Sequence, residues 1–358
     1  MSADRMKILV TGAAGQLGRR LVKCLAREGY PVRAHFRTPE SAARFCPDGI
    51  EAVVGDLRQE DWMPAAVAGC DTIIHGAARI SLRQVDPTLM DNINVGGTVR
   101  LLEKARDAGV KRFIHVSSIA AVGASEDGQP LDETANYNLG QYGIPYFDTK
   151  RRAEELALEA NRPGFDVIVV NPAIMISLPD RNTARRKLDQ LPSRLPFYFN
   201  FGLNLVQTED VVDGIIGAIG NGQPGQRYIL GGANISSDKL LALVETYLGI
   251  KRPWLKIPYP AVYATGILFD MVGWLKRLPG SAWPLRFGSP RFGSPGFGSP
   301  RFGSPRFGRH LARLARLRFY YDSGKARLEL GYFPRSPEST LECLLSASIC
   351  AEPDKLPA

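Results

Sequence analysis

The sequence is poor in cysteine and has no two cysteines separated by two residues. Its five cysteines are odd in number and widely scattered: Cys24, Cys46, Cys70, Cys343 and Cys350. That distribution argues against a disulfide framework and a zinc site, and no metal site is expected. Free thiols suit a reducing compartment, so we expect a cytoplasmic protein.

Long hydrophobic runs are also missing. No apolar stretch reaches the roughly 18 residues that a membrane-spanning helix needs. The first apolar run follows Met1 too closely for a signal peptide. The segment 261–275 is mostly apolar but short, and Asp270 interrupts it. A packed helix is the favoured interpretation of this segment, while a weak contact with a membrane surface stays open.

Acidic residues are missing from one stretch in particular. The chain has a formal net charge of +9, but residues 286–318 contain eight arginines and no acid, so the remainder is nearly neutral. The unit Arg-Phe-Gly-Ser-Pro recurs over 286–308, and its glycine and proline oppose helix and strand. We predict a disordered insertion there, and no nucleic-acid partner, although such composition also occurs in segments that bind RNA or anionic membranes.

The most informative stretch that is present runs from Lys7 to Gly18. The apolar run 8–10 predicts a buried parallel strand, glycines follow it at intervals of three, and apolar residues at helical spacing come next. A glycine turn between a strand and a helix offers unpaired amide groups to a pyrophosphate. We therefore favour a dinucleotide site over an ordinary tight turn. The residues expected to bind the cofactor here are Gly12, Gly15, Gln16, Leu17 and Gly18.

The ends of the next predicted strands extend this cofactor site. The second strand ends at Phe36 and Arg37, and an arginine there suits the 2′-phosphate of NADP, whereas NAD sites usually offer a carboxylate. NADP is therefore favoured over NAD, with an ordinary exposed cation as the alternative for Arg37. Asp56 is placed to accept a hydrogen bond from adenine. Residues expected to line the cofactor where it crosses the sheet are Leu57, Ala77 and Ala78.

A strand, 112–116, and a later helix supply candidate catalytic groups. The strand delivers Ser118 to the same edge of the sheet. Pro145 suits the first turn of a helix on which Tyr146 and Lys150 lie on one face. The lysine charge is expected to lower the pKa of Tyr146 toward the working range of an acid/base catalyst.

Two other candidates are interpreted as structural or coincidental. His75 follows an apolar strand and has no adjacent catalytic partner in the sequence. Tyr321 and Lys325 repeat the spacing of the first pair, but a glycine lies between them and no serine-bearing strand precedes them. The competing interpretation of Tyr146 and Lys150 is likewise a surface pair with coincidental spacing.

Taken together, these segments resemble the extended short-chain dehydrogenases, of the epimerase/dehydratase type. The branch that the sequence resembles most contains dihydroflavonol 4-reductases, 3β-hydroxysteroid dehydrogenases and hopanoid-associated sugar epimerases. The resemblance is carried by segments in the family's order, namely Thr11-Gly-Ala-Ala-Gly-Gln-Leu-Gly18, Gly55-Asp-Leu57, His75-Gly-Ala-Ala78, Asn94-Val-Gly-Gly-Thr98, Val116-Ser-Ser118, Tyr146-x-x-x-Lys150 and Asn171-Pro172.

The resemblance implies roles for individual residues. Tyr146 would be the general acid/base, Lys150 would hold the nicotinamide ribose, and Ser118 would bind the substrate carbonyl. Asn94 would help to order the site, and Pro172 would lie against the cofactor. The implied fold class is α/β, a Rossmann-type doubly wound parallel sheet with a smaller, partly interleaved C-terminal substrate domain.

The resemblance also implies a division of the chain. Residues 1–178 would form the cofactor domain, with 205–220 returning to it. Residues 179–204 and 221–358 would bind the substrate. The partner would be a small molecule, and a homodimer stays open.

The expected activity is an NADP(H)-dependent oxidoreductase that reduces a ketone or oxidises a secondary alcohol. Nucleotide-sugar epimerases commonly have a tyrosine and a glycine after Asn171-Pro172, but this chain continues with apolar residues. That difference favours a moderately apolar substrate, such as a dihydroflavonol or a 3β-hydroxysteroid. The alternatives are a sugar epimerase with tightly bound NAD(P) and, less favoured, a non-catalytic NAD(P)-binding sensor or scaffold.

Overall fold

The computed structural model describes residues 6–81, 86–176, 197–248, 251–275, 309–336 and 338–339. The predicted disordered insertion at 286–308 lies outside these residues, as does most of the segment 179–204.

Seven parallel strands form the central sheet. They are β1 (Ile8–Thr11), β2 (Val32–Phe36), β3 (Glu51–Val54), β4 (Thr72–His75), β5 (Arg112–Val116), β6 (Asp166–Pro172) and β10 (Arg227–Leu230). Their order is β10-β6-β5-β4-β1-β2-β3, and each neighbouring pair is parallel. All seven carboxyl ends therefore meet at one edge, and the predicted doubly wound α/β class is confirmed.

Helices cover both faces of this sheet. The described helices are α1 (Gln16–Arg27), α2 (Pro39–Phe45), α3 (Met63–Val67), α4 (Pro87–Asp91), α5 (Gly97–Asp107), α6 (Pro145–Glu159), α7 (Thr208–Asn221), α8 (Ser237–Leu248), α9 (Tyr259–Leu275), α10 (Arg309–Leu314) and α11 (Gly324–Leu330). One core layer joins the sheet to α1 and α7, for example through Leu21 and Ile215. The other joins it to α3, α5 and α6, for example through Met63, Leu101 and Ala157.

A second, smaller sheet lies beside the first. Its strands are β7 (Ile174–Ile176), β9 (Gly202–Gln207), β11 (Ala233–Ser236) and β13 (Arg318–Phe319), with β9 in contact with the other three. A separate parallel pair is formed by β8 (Phe197–Phe199) and β12 (Leu255–Ile257).

The sequence-based division of the chain differs from this arrangement at two places. Residues 227–230 were assigned to the substrate side, but Tyr228, Ile229 and Leu230 are fully buried and extend the central sheet beside β6. The return segment 205–220 also splits, because its strand pairs in the second sheet and its helix α7 packs on the central one. Local patterns predict a strand but not the neighbour with which it pairs.

The start of α1 requires glycine at position 18. A Cβ there would lie well inside contact distance of the Gly12 carbonyl oxygen and the Ala13 Cα, both of which are backbone atoms. At Gly220, in the last turn of α7, a Cβ would meet no described atom within 4 Å. Substitution by alanine should therefore have opposite effects on stability at these two helical glycines.

We expect Gly18→Ala to lower the free energy of unfolding by about 2 kcal/mol or more, because backbone must shift to admit the methyl group. Gly220→Ala is the matched control, and it should raise the free energy of unfolding by up to about 1 kcal/mol through helix propensity. Urea denaturation followed by circular dichroism measures both values. Equal stability of the two variants would contradict the tight approach of α1 to the turn.

Candidate active site

The glycine turn after β1 is built to take an anion. The Gly15 amide donates to the Gly12 carbonyl at 2.9 Å, and α1 begins at once with no side chain capping its first amides. Gly12 has a φ of +77°, and a Cβ there would press against the Ala77 backbone. The turn thus brings two predicted cofactor residues, Gly12 and Ala77, side by side. Free amides at a helix start and a backbone without side chains fit a pyrophosphate.

The ends of β2 and β3 form the predicted adenosine end of the site. Arg37 is exposed and has no hydrogen bond or ion pair to any residue that the structure describes. Asp56 pairs with Arg58, whose Nη2 lies 2.8 Å from Oδ2. This hydrogen bond is the main cause that lowers the pKa of Asp56, and the charges of Arg58 and Arg37 add to it. Leu57 is buried beside them.

Two residues that were not predicted from the sequence, His35 and Trp62, pack beside Asp56. The His35 ring stacks on Trp62 with centroids 4.1 Å apart, and burial lowers the pKa of His35 to about 4. The Trp62 indole donates to the Asp56 carbonyl at 2.9 Å, and the absence of a side chain at Gly55 makes room for the ring. In the sequence, Gly55 was the only residue that indicated such close packing next to Asp56.

Asn94 connects the loop after β4 to α6. It lies in one π-helical turn, Asn92–Gly96, and is 3% exposed. Its Oδ1 accepts from the Arg79 amide at 2.7 Å, while its Nδ2 donates to the Arg79 carbonyl and to Thr149 Oγ1. This bracing agrees with the ordering role expected for Asn94, which stays a prediction.

The structure brings the predicted catalytic side chains together. Tyr146 is buried at the start of α6 and shares a hydrogen bond with Ser118, which follows β5. The Lys150 ammonium donates to the Val116 carbonyl at 2.9 Å. Pro172 is the last residue of β6, and Ala78 follows β4. The carboxyl ends of both strands lie at this edge of the sheet.

The expected effect of Lys150 on Tyr146 is wrong for this structure. Burial raises the pKa of Tyr146, and the hydrogen bond with Ser118 offsets only part of that rise. Burial also lowers the pKa of Lys150 to about 8, while the nearby Glu154 charge opposes the change. Desolvation dominates because both groups are enclosed between the sheet and α6.

The side chains of Tyr321 and Lys325 do not come together in one site. The Tyr321 hydroxyl donates to the Gly123 carbonyl, whereas Lys325 donates to Gln226 Oε1 at 2.7 Å on the surface. The interpretation of this pair as coincidental is confirmed. Tyr321 instead packs behind the turn that carries Ser118.

Two buried histidines lie near the predicted catalytic residue Lys150. His75 is held between Thr11 Oγ1 at 2.8 Å and Thr98 Oγ1 at 3.1 Å, which agrees with a structural role. Burial lowers its pKa to about 3. His115 lies beside it, with ring centroids 5.6 Å apart, and burial keeps its pKa well below the usual value. Neither nitrogen of His115 has a partner among the described residues.

Comparison with known proteins identifies the family of this chain. The model of the NAD-dependent epimerase/dehydratase family matches residues 8–231. The chain belongs to this family. The resemblance inferred from the sequence motifs is thereby confirmed, and the protein is an NAD(P)-dependent oxidoreductase or epimerase of the extended short-chain dehydrogenase type.

Two relatives and one solved structure are similar to most of the chain. A Synechocystis protein named putative dihydroflavonol 4-reductase is 36% identical, over 70% of this chain and 74% of the relative. A Stigmatella aurantiaca ketoreductase, named for 4-hydroxy-2-methyl-3-oxo-4-farnesyl-3,4-dihydroquinoline-1-oxide, is 32% identical over 78% of this chain and 84% of the relative. The crystal structure of gox2253 is similar with a TM-score of 0.74 and 29% identity, covering 97% and 98% of the two chains.

Two other expectations concern membranes and metals. Within the described residues, no helix combines the length and the apolar character required to cross a bilayer. The same residues contain no cluster of three or more histidine, cysteine or acidic side chains that could hold a metal ion.

The buried histidines predict a dependence of stability on pH. Their folded pKa values lie below the unfolded value near 6.5, so the unfolded chain binds more protons below that pH and stability falls from about pH 6.5 toward pH 3. When the pH is lowered from 7.5 to 5.5, each buried histidine should reduce the free energy of unfolding by about 1.4 kcal/mol. His115→Phe should reduce this acid-induced loss by that amount, as measured by urea denaturation at both pH values. An unchanged difference between the two pH values would contradict a neutral, buried His115.

Proposed function

We propose that this protein is an NADP(H)-dependent oxidoreductase that reduces a ketone, or oxidises a secondary alcohol, on a moderately apolar substrate. The observation that carries the proposal is the meeting of Ser118, Tyr146 and Lys150 at the sheet edge that also holds the glycine turn. Hydroxyl, phenol and ammonium groups in that arrangement can bind a carbonyl oxygen and protonate it. The names of the two relatives described above support reduction.

The residues present fit the cofactor. The unfilled backbone cradle at Gly12 and the uncapped start of α1 suit the pyrophosphate, and Arg37 suits a 2′-phosphate. When bound, the nicotinamide supplies or accepts a hydride. The family is described as NAD dependent, and our preference for NADP rests on Arg37 and on the absence of an acid at the end of β2.

Ser118, Tyr146 and Lys150 have separate roles in the reaction. Ser118 hydrogen-bonds the carbonyl oxygen, and Tyr146 gives that oxygen its phenolic proton. Because burial raises the pKa of Tyr146, the phenol is protonated at neutral pH and ready to donate in the reducing direction. Lys150 contributes its charge beside them and would hold the nicotinamide ribose.

The surroundings of Tyr146 suit an apolar substrate. A cluster of buried hydrophobic residues encloses it, including Met90, Leu139, Tyr142 and Leu317. After β6, Ala173 is buried, and the β7 residues that follow it are partly buried and apolar. These positions favour ring or chain carbons over sugar hydroxyls.

The second candidate is an epimerase, which the family description itself includes. An epimerase reduces and reoxidises its cofactor within one turnover, so it should retain nucleotide through purification. A reductase should exchange NADPH freely and consume it with a ketone. Measuring nucleotide released from the purified, denatured protein separates the two activities.

Tyr146→Phe tests the catalytic assignment. It should lower kcat for ketone reduction by about 10²–10⁴-fold, since the proton donor is lost, while the Kd for NADPH stays nearly unchanged. The assay follows NADPH absorbance with a panel of cyclic and aromatic ketones. Tyr332→Phe is the control, because it also removes a buried tyrosine hydroxyl, one that donates to the Gly231 carbonyl, and should keep activity. Equal activity of Tyr146→Phe and the wild type would refute the assignment.

Arg37→Ala tests the choice of cofactor. It should weaken NADPH binding by about tenfold or more, through the loss of a charge-assisted contact, and leave NADH binding nearly unchanged. Titration of cofactor fluorescence gives both Kd values. Arg44→Ala is the control, because that guanidinium lies over the Phe45 ring. Parallel losses for both cofactors would contradict recognition of the 2′-phosphate by Arg37.

A further inference from the structure

A carboxylate is buried beneath the catalytic helix. Glu154 is 0% exposed and lies one helical turn after Lys150 on α6. Among the described residues, it is the only buried acid in the layer between the sheet and helices α5 and α6; the other buried acid, Asp210, lies on α7. A buried carboxylate is costly unless other groups pair with it, so its partners indicate why it is there.

Two side chains satisfy Glu154, and one of them leads to Ser118. Arg227 Nη1 lies 3.0 Å from Oε1, and Asn171 Nδ2 donates to Oε2 at 2.6 Å. The same Asn171 nitrogen donates to the Ser118 carbonyl at 3.0 Å. The carboxylate fixes which way the amide faces, because only the NH2 side of Asn171 can bind a carboxylate. Glu154 thereby holds the backbone that carries Ser118.

Glu154 also supplies a negative charge that acts on Lys150. His75 on β4 and His115 on β5 also interact electrostatically with Lys150, and Tyr146 lies one turn before it on α6. Burial favours the neutral form of each of these three groups. Glu154 raises the pKa of Lys150 against the effect of burial. Arg227 balances part of the Glu154 charge from the side of β10.

We propose that Glu154 is a positioning residue of the active site, which keeps the Lys150 ammonium charged and, through Asn171, fixes the backbone of Ser118. The proposal rests on the proposed function in one respect, since it treats Ser118 and Lys150 as catalytic. Its physical content concerns this chain alone and can be measured without substrate or cofactor.

A purely structural role for Glu154 is the competing explanation. Arg227 also donates to the carbonyls of Glu133 and Ala135, so its pair with Glu154 ties α6 to β10 and to the loop before α6. Loss of the ion pair between Arg227 and Glu154 would lower the free energy of unfolding whether or not Lys150 is affected. The test therefore measures the protonation of Lys150 directly.

The experiment uses the full chain carrying lysine labelled with ¹³C at Cε, titrated by NMR. Lys150→Arg assigns the Lys150 signal. In Glu154→Gln, the Lys150 midpoint should move to lower pH by about one unit, because an opposite charge nearby is removed. Glu155→Gln is the matched control on the next residue, which is exposed and pairs with Arg151, and it should leave the midpoint unchanged.

Activity then tests the connection to Ser118. The pH above which ketone reduction declines should fall by the same amount in Glu154→Gln. At lower pH, where Lys150 is charged in both proteins, kcat should still be several-fold below the wild type, because an amide at position 154 no longer fixes the orientation of Asn171 and so weakens its hydrogen bond to the Ser118 carbonyl. Equal kcat in that range would refute the part of the proposal that concerns Ser118.

An unshifted Lys150 midpoint in folded Glu154→Gln would overturn the charge role. If that variant does not fold, Glu154→Gln combined with Arg227→Gln removes both charges, so that neither remains buried alone, and the same criterion applies. A shifted midpoint in a protein that reduces no ketone would refute the proposed function and leave the charge role of Glu154 intact.

Discussion

The burial of the Lys150 ammonium constrains the rest of the candidate active site. An isolated buried charge is unstable, so the ammonium must have a fixed acceptor and a nearby anion. The Val116 carbonyl is the acceptor, at 2.9 Å, and Glu154 is the anion one helical turn away. The first contact fixes α6 against β5, and that placement brings Tyr146 to Ser118.

A second constraint is the close approach of backbone segments along the same edge. Gly12 faces the Ala77 backbone, Gly18 faces the Gly12 carbonyl, and Gly55 leaves room for the Trp62 ring. Each approach brings the end of one strand or turn against a neighbouring segment, where a Cβ would not fit. The cofactor cradle and the sheet are thus parts of the same packing arrangement, and a change that loosens one should weaken the other.

Much of this arrangement could be predicted from the sequence, because local patterns determined it. The strands ending at Thr11, Phe36 and Val116 are short segments in which most residues are apolar, and Tyr146 and Lys150 share a helix face by spacing alone. The contacts of Glu154 could not be predicted, since Arg227 and Asn171 reach it from strands whose neighbours the sequence does not specify. The same limitation explains why 227–230 was assigned to the substrate side and not to the central sheet.

The protonation of the buried layer also could not be predicted from spacing, and it bears on the direction of the chemistry. Spacing indicated that Lys150 would promote a tyrosinate, but desolvation acts on Tyr146 and Lys150 together and favours the neutral form of each. A neutral phenol is a proton donor, which suits reduction of a ketone. Oxidation of an alcohol would require the phenolate, so it needs higher pH or a stronger positive charge beside Tyr146. Because Glu154 opposes the loss of the Lys150 proton, its carboxylate extends to higher pH the range over which that positive charge is present.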